Sequence, residues 1–221
     1  MLLSNSENPA PIVLLTGFDA FAGDLLNPSW LAAQALHGQT IMGHQVVAAQ
    51  LPTEFAASRQ VLTNLLRQHK PVLVLCLGLA GGRASLTLER VAINVQDARI
   101  PDNAGAQPTD IPVVKAGPAA FFSSLPIKSM LQALTNAGIA ADVSQTAGTF
   151  VCNHVFYVLM HWLKNNRQGI RCRGGFMHVP YLPDQGLPCM PLEDMVRGLR
   201  VAVTSALTTA TDAAVSAGAL N

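Results

Sequence analysis

Residues 71–79 read PVLVLCLGL, an almost unbroken apolar run. A strand with one face in water alternates apolar and polar residues. A run without that alternation belongs to a strand covered on both faces, as in the middle of a parallel sheet. The run is too short to cross a bilayer.

On either side of it, short apolar runs alternate with helical patterns. Upstream, EFAASRQVLTNLLRQHK (54–70) spaces Phe55, Val61, Leu62, Leu65 and Leu66 as a helix does, and HQVVAAQLP (44–52) before it reads as a strand. Earlier still, PIVLLTGF (11–18) predicts a strand. NPSWLAAQAL (27–36) predicts a helix with an asparagine cap and a first-turn proline. Downstream, LTLERVAINV (86–95) alternates and reads as a partly exposed, edge-like strand. The stretch QDARIPDNAGAQPTDIPVVKAGPAA (96–120) is rich in Pro, Gly, Asp and Asn and reads as loop. A helix over 127–138, a short strand over 140–147, a buried helix from about 150, a strand within 173–183 and a closing helix over 192–215 complete the chain.

This alternation predicts a single-domain α/β/α sandwich over 1–221, with a mostly parallel, twisted central sheet and a flexible segment at 1–10. In such folds the crevice lies at the carboxyl ends of the strands. The 96–120 loop is longer than most structureless connections, and loops of that length are often functional.

The 221 residues are half apolar and 12% charged, with a net charge of +1 and no basic run. The electrostatic footprint of a nucleic-acid binder is missing. The opening MLLSNSENPAP lacks the charged and apolar regions of a signal peptide. Cys76, Cys152, Cys172 and Cys189 read as reduced thiols in a chain of this size. The expectation is a soluble cytoplasmic protein that does not engage membranes, and the low charge suits a homo-oligomer.

The stretch GTFVCNHVFYVLMHWLKNN (148–166) carries the chemistry. Its helix is apolar round much of its circumference, so a cysteine within it reads first as core filling. Cys76, inside LVLCLG, has that reading only. Cys152 differs, because it lies near a helix N-terminus that follows a strand and a glycine, where free N–H groups and the helix dipole favour a thiolate. A thiol nucleophile needs a base. His154 is two residues away and points elsewhere on a helix. His37, His44, His69 and His161 have structural or solvent-facing readings. His178, in GGFMHVPYLP, ends a strand between glycines and prolines, a rigid setting for a ring that must be aimed. Glu89 sits among strand residues, where an acid is costly to bury without a partner. Its neighbour Arg90 points to the opposite strand face.

Taken together, LLTGFDAFAGDLLNPSW, ERVAINVQDARIPDN, GTFVCNHVFY and GFMHVPYLPDQ resemble the pyrrolidone carboxyl peptidase (pyroglutamyl peptidase I) family of cysteine peptidases, from about residue 12 to about residue 200. The resemblance implies Cys152 as nucleophile, His178 as base and Glu89 as its partner. It implies hydrolysis after an N-terminal pyroglutamyl residue of a peptide, without cofactor or metal, by a homo-dimer or homo-tetramer. It also implies a lactam pocket with Phe18, Phe21, Ile100, Phe150 and Val151, and Arg99 near the reaction centre. Two stretches depart from the family's pattern: GFDAFAG carries Ala20 and Ala22 where relatives often have proline and glycine, and GLAGGR carries Leu79 where many have glutamine.

Other classes fit less well. Cys172, His178 and Cys189 lack metal-site spacing, and no HExxH occurs. Neither glycine-rich loop is a nucleotide-binding pattern, and G-x-S-x-G is missing. A non-catalytic or altered-specificity member of the same fold is the remaining alternative.

Overall fold

The computed structural model describes residues 10–166 and 172–218. The segment expected to be flexible lies, but for Ala10, outside the described residues. In chain order the elements are β1 (Ile12–Phe18), α1 (Pro28–Gln34), β2 (Thr40–Ile41), β3 (His44–Leu51), α2 (Phe55–His69), β4 (Leu73–Leu79) and β5 (Leu86–Glu89). They continue as β6 (Val91–Ile93), β7 (Ala120–Phe122), α3 (Ile127–Asn136), β8 (Ala141–Ser144), α4 (Val151–Asn165), β9 (Arg173–Val179) and α5 (Leu192–Thr208).

Seven strands make one sheet in the order β2-β3-β1-β4-β9-β5-β8, while β6 and β7 form a separate antiparallel ribbon. Strand β4 takes the central place its sequence predicts, parallel to β1 on one side and β9 on the other. The sheet is mostly parallel; β2 against β3 and β5 against β9 are antiparallel. Alternate residues of β4 serve opposite layers. Leu73, Leu75 and Leu77 pack with α1, α3 and α5, while Val74 and Cys76 pack with α2 and α4. That is the α/β/α sandwich, with its core split between the two sheet faces.

The chain runs from β1 by α1 to β3 on one side, and then crosses by α2 to β4 on the other side of β1. The loops leaving the carboxyl ends of β1 and β4 therefore diverge and open a crevice.

Three regions differ from the sequence expectation. The stretch 86–95 is two strands, and β5 is an interior strand, fully buried between β9 and β8. The alternation came from Glu89, a charge that is buried because it is paired. The closing helix stops at Thr208, not at 215, where the Arg173 guanidinium binds the carbonyls of Ala206 and Thr209. The end of the long loop forms β7, which pairs with β6.

Candidate active site

The sheet register decides which side chains meet. Gly78 of β4 is the partner of His178 in β9, so the two residues present the same face of the sheet. An ideal Cβ on Gly78 would lie 2.7 Å from Cys152 Sγ and 2.9 Å from the Phe176 ring. The sulfur of Cys152 thus occupies the space a side chain at 78 would need, directly over the strand beside His178. Gly78 is required for that approach. Cys152 reaches this spot because the chain turns at Gly148, with φ of 77°, a conformation that favours glycine.

His178 is held by two neighbours. Its Nδ1–H donates to Glu89 Oε1 at 2.7 Å, and the Phe176 ring packs against it with centroids 4.9 Å apart. A carboxylate only accepts, so the proton sits on Nδ1 and Nε2 is left as the basic nitrogen. Glu89 is fully buried, and its Oε1 also accepts from Arg83 Nη1 at 2.7 Å. Burial pushes the Glu89 carboxyl up. The hydrogen bond and charge of His178, with help from Ser144 and Arg83, outweigh it and hold the group below the usual glutamate range. Arg90 points away and donates to Ala217 O at 2.9 Å.

Cys152 is half-buried. Burial, reinforced by the negative charge of Glu89 and by Cys76 and opposed by Arg83, pushes its thiol up to about 12. This direction is opposite to the one that a helix N-terminus favours. A helix N-terminus works against that burial, contributing about 0.3–2 kcal/mol with the upper end in partly buried settings. Cys76 is fully buried, also pushed up to about 12 by burial, and fills the core.

A cavity of about 250 Å³ opens beside the sulfur, where the β1 and β4 loops diverge. Phe18, Phe21, Phe150 and Val151 line it together with Cys152. Phe150 packs on Phe21 and Phe55, with centroids at 5.2 and 5.4 Å. Ala22 and Leu79, two of the three departures from the family's pattern, are in the lining too, and Ala20 is not. Arg99 and Ile100 are not: both are exposed in the long loop, Ile100 by 49%. Among the described residues, no cluster of three or more His, Cys, Asp or Glu is placed to hold a metal ion.

Several residues that shape the site were not singled out in the sequence. Asn153 follows the cysteine and is fully buried. Its amide donates to Ile93 O and Val95 O at 2.9 and 3.0 Å and accepts from Ile93 N at 2.9 Å, clamping α4 to β6. A polar residue inside an otherwise apolar helix was the available signal. Asp19 Oδ1 takes the hydroxyl and N–H of Thr53, another lining residue, at 2.6 and 2.7 Å, which fixes the first loop against β3. Asp102, in the long loop, is buried and accepts from Phe55 N at 2.9 Å, capping α2 from a distance.

A thiol, an imidazole fixed by a buried carboxylate, and an apolar slot at the carboxyl ends of parallel strands are the elements of a thiol hydrolase. A family model described as pyroglutamyl peptidase matches residues 12–209. The pyrrolidone-carboxylate peptidase of Cupriavidus taiwanensis is 52% identical over 96% of this chain and 100% of its own length. Pyrrolidone-carboxylate peptidase 1 of Ralstonia nicotianae is 54% identical over 89% of this chain and 93% of its own. The crystal structure of pyroglutamyl peptidase I from Bacillus amyloliquefaciens superimposes with a TM-score of 0.90 at 43% identity, covering 94% of this chain and 100% of that one. The chain belongs to the pyroglutamyl peptidase family.

Proposed function

We propose that Cys152, His178 and Glu89 carry out the hydrolysis of the peptide bond after an N-terminal pyroglutamyl residue. The chain is a cysteine peptidase that releases pyroglutamate. The neutral lactam enters the slot beside Phe18, Phe21 and Phe150. Covering roughly 100 Å² of apolar surface there stabilises the complex by about 2–3 kcal/mol. A free N-terminal glutamate or glutamine brings an ammonium group whose burial costs several kcal/mol, which excludes it.

His178 Nε2 takes the thiol proton as the Cys152 sulfur attacks the carbonyl carbon. The developing oxyanion is met by N–H groups in the first turn of α4, each such donor contributing about 2.7–4 kcal/mol. His178 returns the proton to the departing amine and then activates water to cleave the thioester, freeing pyroglutamate and thiol. Glu89 holds the ring and its tautomer throughout.

The observation that carries the reading is the common sheet face of Gly78 and His178 with the Cys152 sulfur over it, beside the apolar slot. The test is Cys152→Ala, assayed on a pyroglutamyl fluorogenic amide with folding checked by circular dichroism. Turnover should fall on the order of 10⁴–10⁶-fold. Undiminished turnover would overturn the proposal.

A homo-dimer or homo-tetramer in the cytoplasm belongs to the same proposal. Exposed Leu25, Phe122 and Leu187 support assembly. Among the described residues, no helix is long and apolar enough to cross a membrane.

A further inference from the structure

Both donors to Glu89 converge on one oxygen. His178 Nδ1 and Arg83 Nη1 each lie 2.7 Å from Oε1, while Oε2 has no hydrogen-bond partner among the described residues. The second nitrogen of Arg83, Nη2, reaches Thr146 O at 3.4 Å, in the loop that leads into α4. One guanidinium therefore joins the loop after β4, the carboxylate on β5 and the segment that delivers the nucleophile. Its side chain is 32% exposed, so it closes the outer side of a pair that is otherwise buried.

We propose that Arg83 is a positioning residue for this peptidase: it fixes the carboxylate that aims His178 and supplies the positive charge that offsets Glu89 at the Cys152 sulfur. The proposal rests on the roles given above to Cys152, His178 and Glu89. The physical need is plain. A buried carboxylate orients an imidazole well, but its negative charge also opposes formation of a sulfur anion nearby. A cation on the same carboxylate keeps the orientation and cancels much of the field. Arginine suits the task because it stays charged and its planar fork reaches two acceptors at once. The groups that act on Glu89 are His178 on β9, Arg83 from the β4–β5 loop and the Ser144 hydroxyl on β8, and Cys152 on α4 feels its charge; Arg83 is the only permanent cation among them. The balance of charge at the sulfur runs the same way: after burial, Glu89 raises the Cys152 thiol and Arg83 lowers it.

The experiment compares Arg83→Met, which keeps length and removes charge, with Arg83→Lys and Glu89→Gln. Turnover of a pyroglutamyl amide is followed beside the pH dependence of Cys152 alkylation by iodoacetamide, with Cys152→Ala as background. In Arg83→Met, kcat should fall by about 10–100-fold with KM changed less than about threefold, and the rate of Cys152 alkylation should fall by about tenfold across the neutral to mildly alkaline pH range. Arg83→Lys should recover most of both. Adding Arg83→Met to Glu89→Gln should cost little more than Glu89→Gln alone, because the two act in series.

An unmoved alkylation profile in a folded Arg83→Met protein would overturn the proposal, whatever its turnover. So would Arg83→Lys as impaired as Arg83→Met with a lowered melting temperature, which would make the residue merely structural. Full activity of Glu89→Gln would place the failure in the role of Glu89 itself and remove the route through it.

Discussion

The N-termini of α3 and α4 begin alike and are completed in opposite ways. Neither helix has a side-chain cap of its own, and neither has an acid in its first turn. At α3 the gap is filled from far along the chain. Asp212 accepts from Ser129 N at 2.8 Å, Ser129 Oγ at 3.0 Å and Lys128 N at 3.2 Å. At α4 the N–H groups of Val151, Cys152 and Asn153 have no acceptor among the described residues. The other helices follow α3: Asn27 caps α1, Asp102 caps α2, and Glu193 and Asp194 lie in the first turn of α5. A cap is worth about 0.5–2 kcal/mol, so α4 forgoes that stabilisation. It can, because nine residues between Val151 and Met160 are buried and hold the helix by packing. An uncapped start beside Cys152 is a ready site for the anion of the proposed reaction, and the same start at α3 needs only to be closed.

Placing a carboxylate at the α4 start would break this contrast most severely. Asn153→Asp is nearly isosteric, yet it sets an oxygen against the carbonyls of Ile93 and Val95 that now receive the amide. It also puts a negative charge next to the sulfur. Stability should fall by about 3–5 kcal/mol, as for a buried network broken on one side. The kcat of whatever folds should drop by more than about 100-fold. Asn153→Ala loses the bonds without adding the charge, so its smaller loss in kcat isolates the electrostatic part. Urea unfolding and steady-state kinetics on both variants decide it; equal kcat values would refute the charge argument.

How much of this contrast was legible beforehand follows from where the partners sit in the chain. The central strand could be read from PVLVLCLGL, because a strand covered on both faces has no polar side to hide its pattern. Cys152 and His178 could be read as helix-start and strand-end residues with chemistry to offer. Glu89 was visible as an acid out of place, but its partners were not: His178 meets it only through sheet register, which one strand's sequence does not contain, and Arg83 folds back on it from the loop before β5. For that reason LTLERVAINV passed for an edge strand. The acid that caps α3 lies 83 residues beyond Ser129, and no local pattern announces it. The resemblance to a family located the aromatic slot, while Arg99 and Ile100, assigned through the same resemblance, stand exposed outside its lining.

The first turns of α4 also exclude a cation, and pH exposes this. His154 is buried against the edge of Phe55, and neither ring nitrogen has a hydrogen-bond partner among the described residues. Burial, with the nearby charge of Arg59, lowers its pKa from 6.5 to about 4. The unfolded chain takes up this proton near pH 6.5 and the folded chain does not until about 4. Between those values the unfolded state binds more protons, so stability declines as pH falls through the window and levels off below it. The loss reaches at most about 3 kcal/mol for a shift of this size. His154→Met keeps the volume and removes the titration. Urea midpoints at pH 7 and pH 5 should diverge for the parent protein and converge for the variant; parallel behaviour would mean that His154 is not the titrating group.

Opening the α3 start should have the smallest effect and touch stability alone. Burial raises the Asp212 carboxyl, but the N–H groups of Ser129 and Lys128, the Ser129 hydroxyl and Ala213 N together bring it below its ordinary 3.8. An acid held low in the folded state adds stability that is complete above its unfolded pKa and is lost as pH drops through the folded one. At neutral pH the cap is therefore fully present. Asp212→Ala should cost about 0.5–1 kcal/mol, the lower part of the range for caps, because the carboxylate is exposed and water competes for it. Helix α3 packs on the sheet face opposite the reactive sulfur, so kcat and KM should not change. A variant that lost turnover while its unfolding midpoint stayed put would contradict the division of labour between the two helix starts, since the filled one would then be serving the reaction.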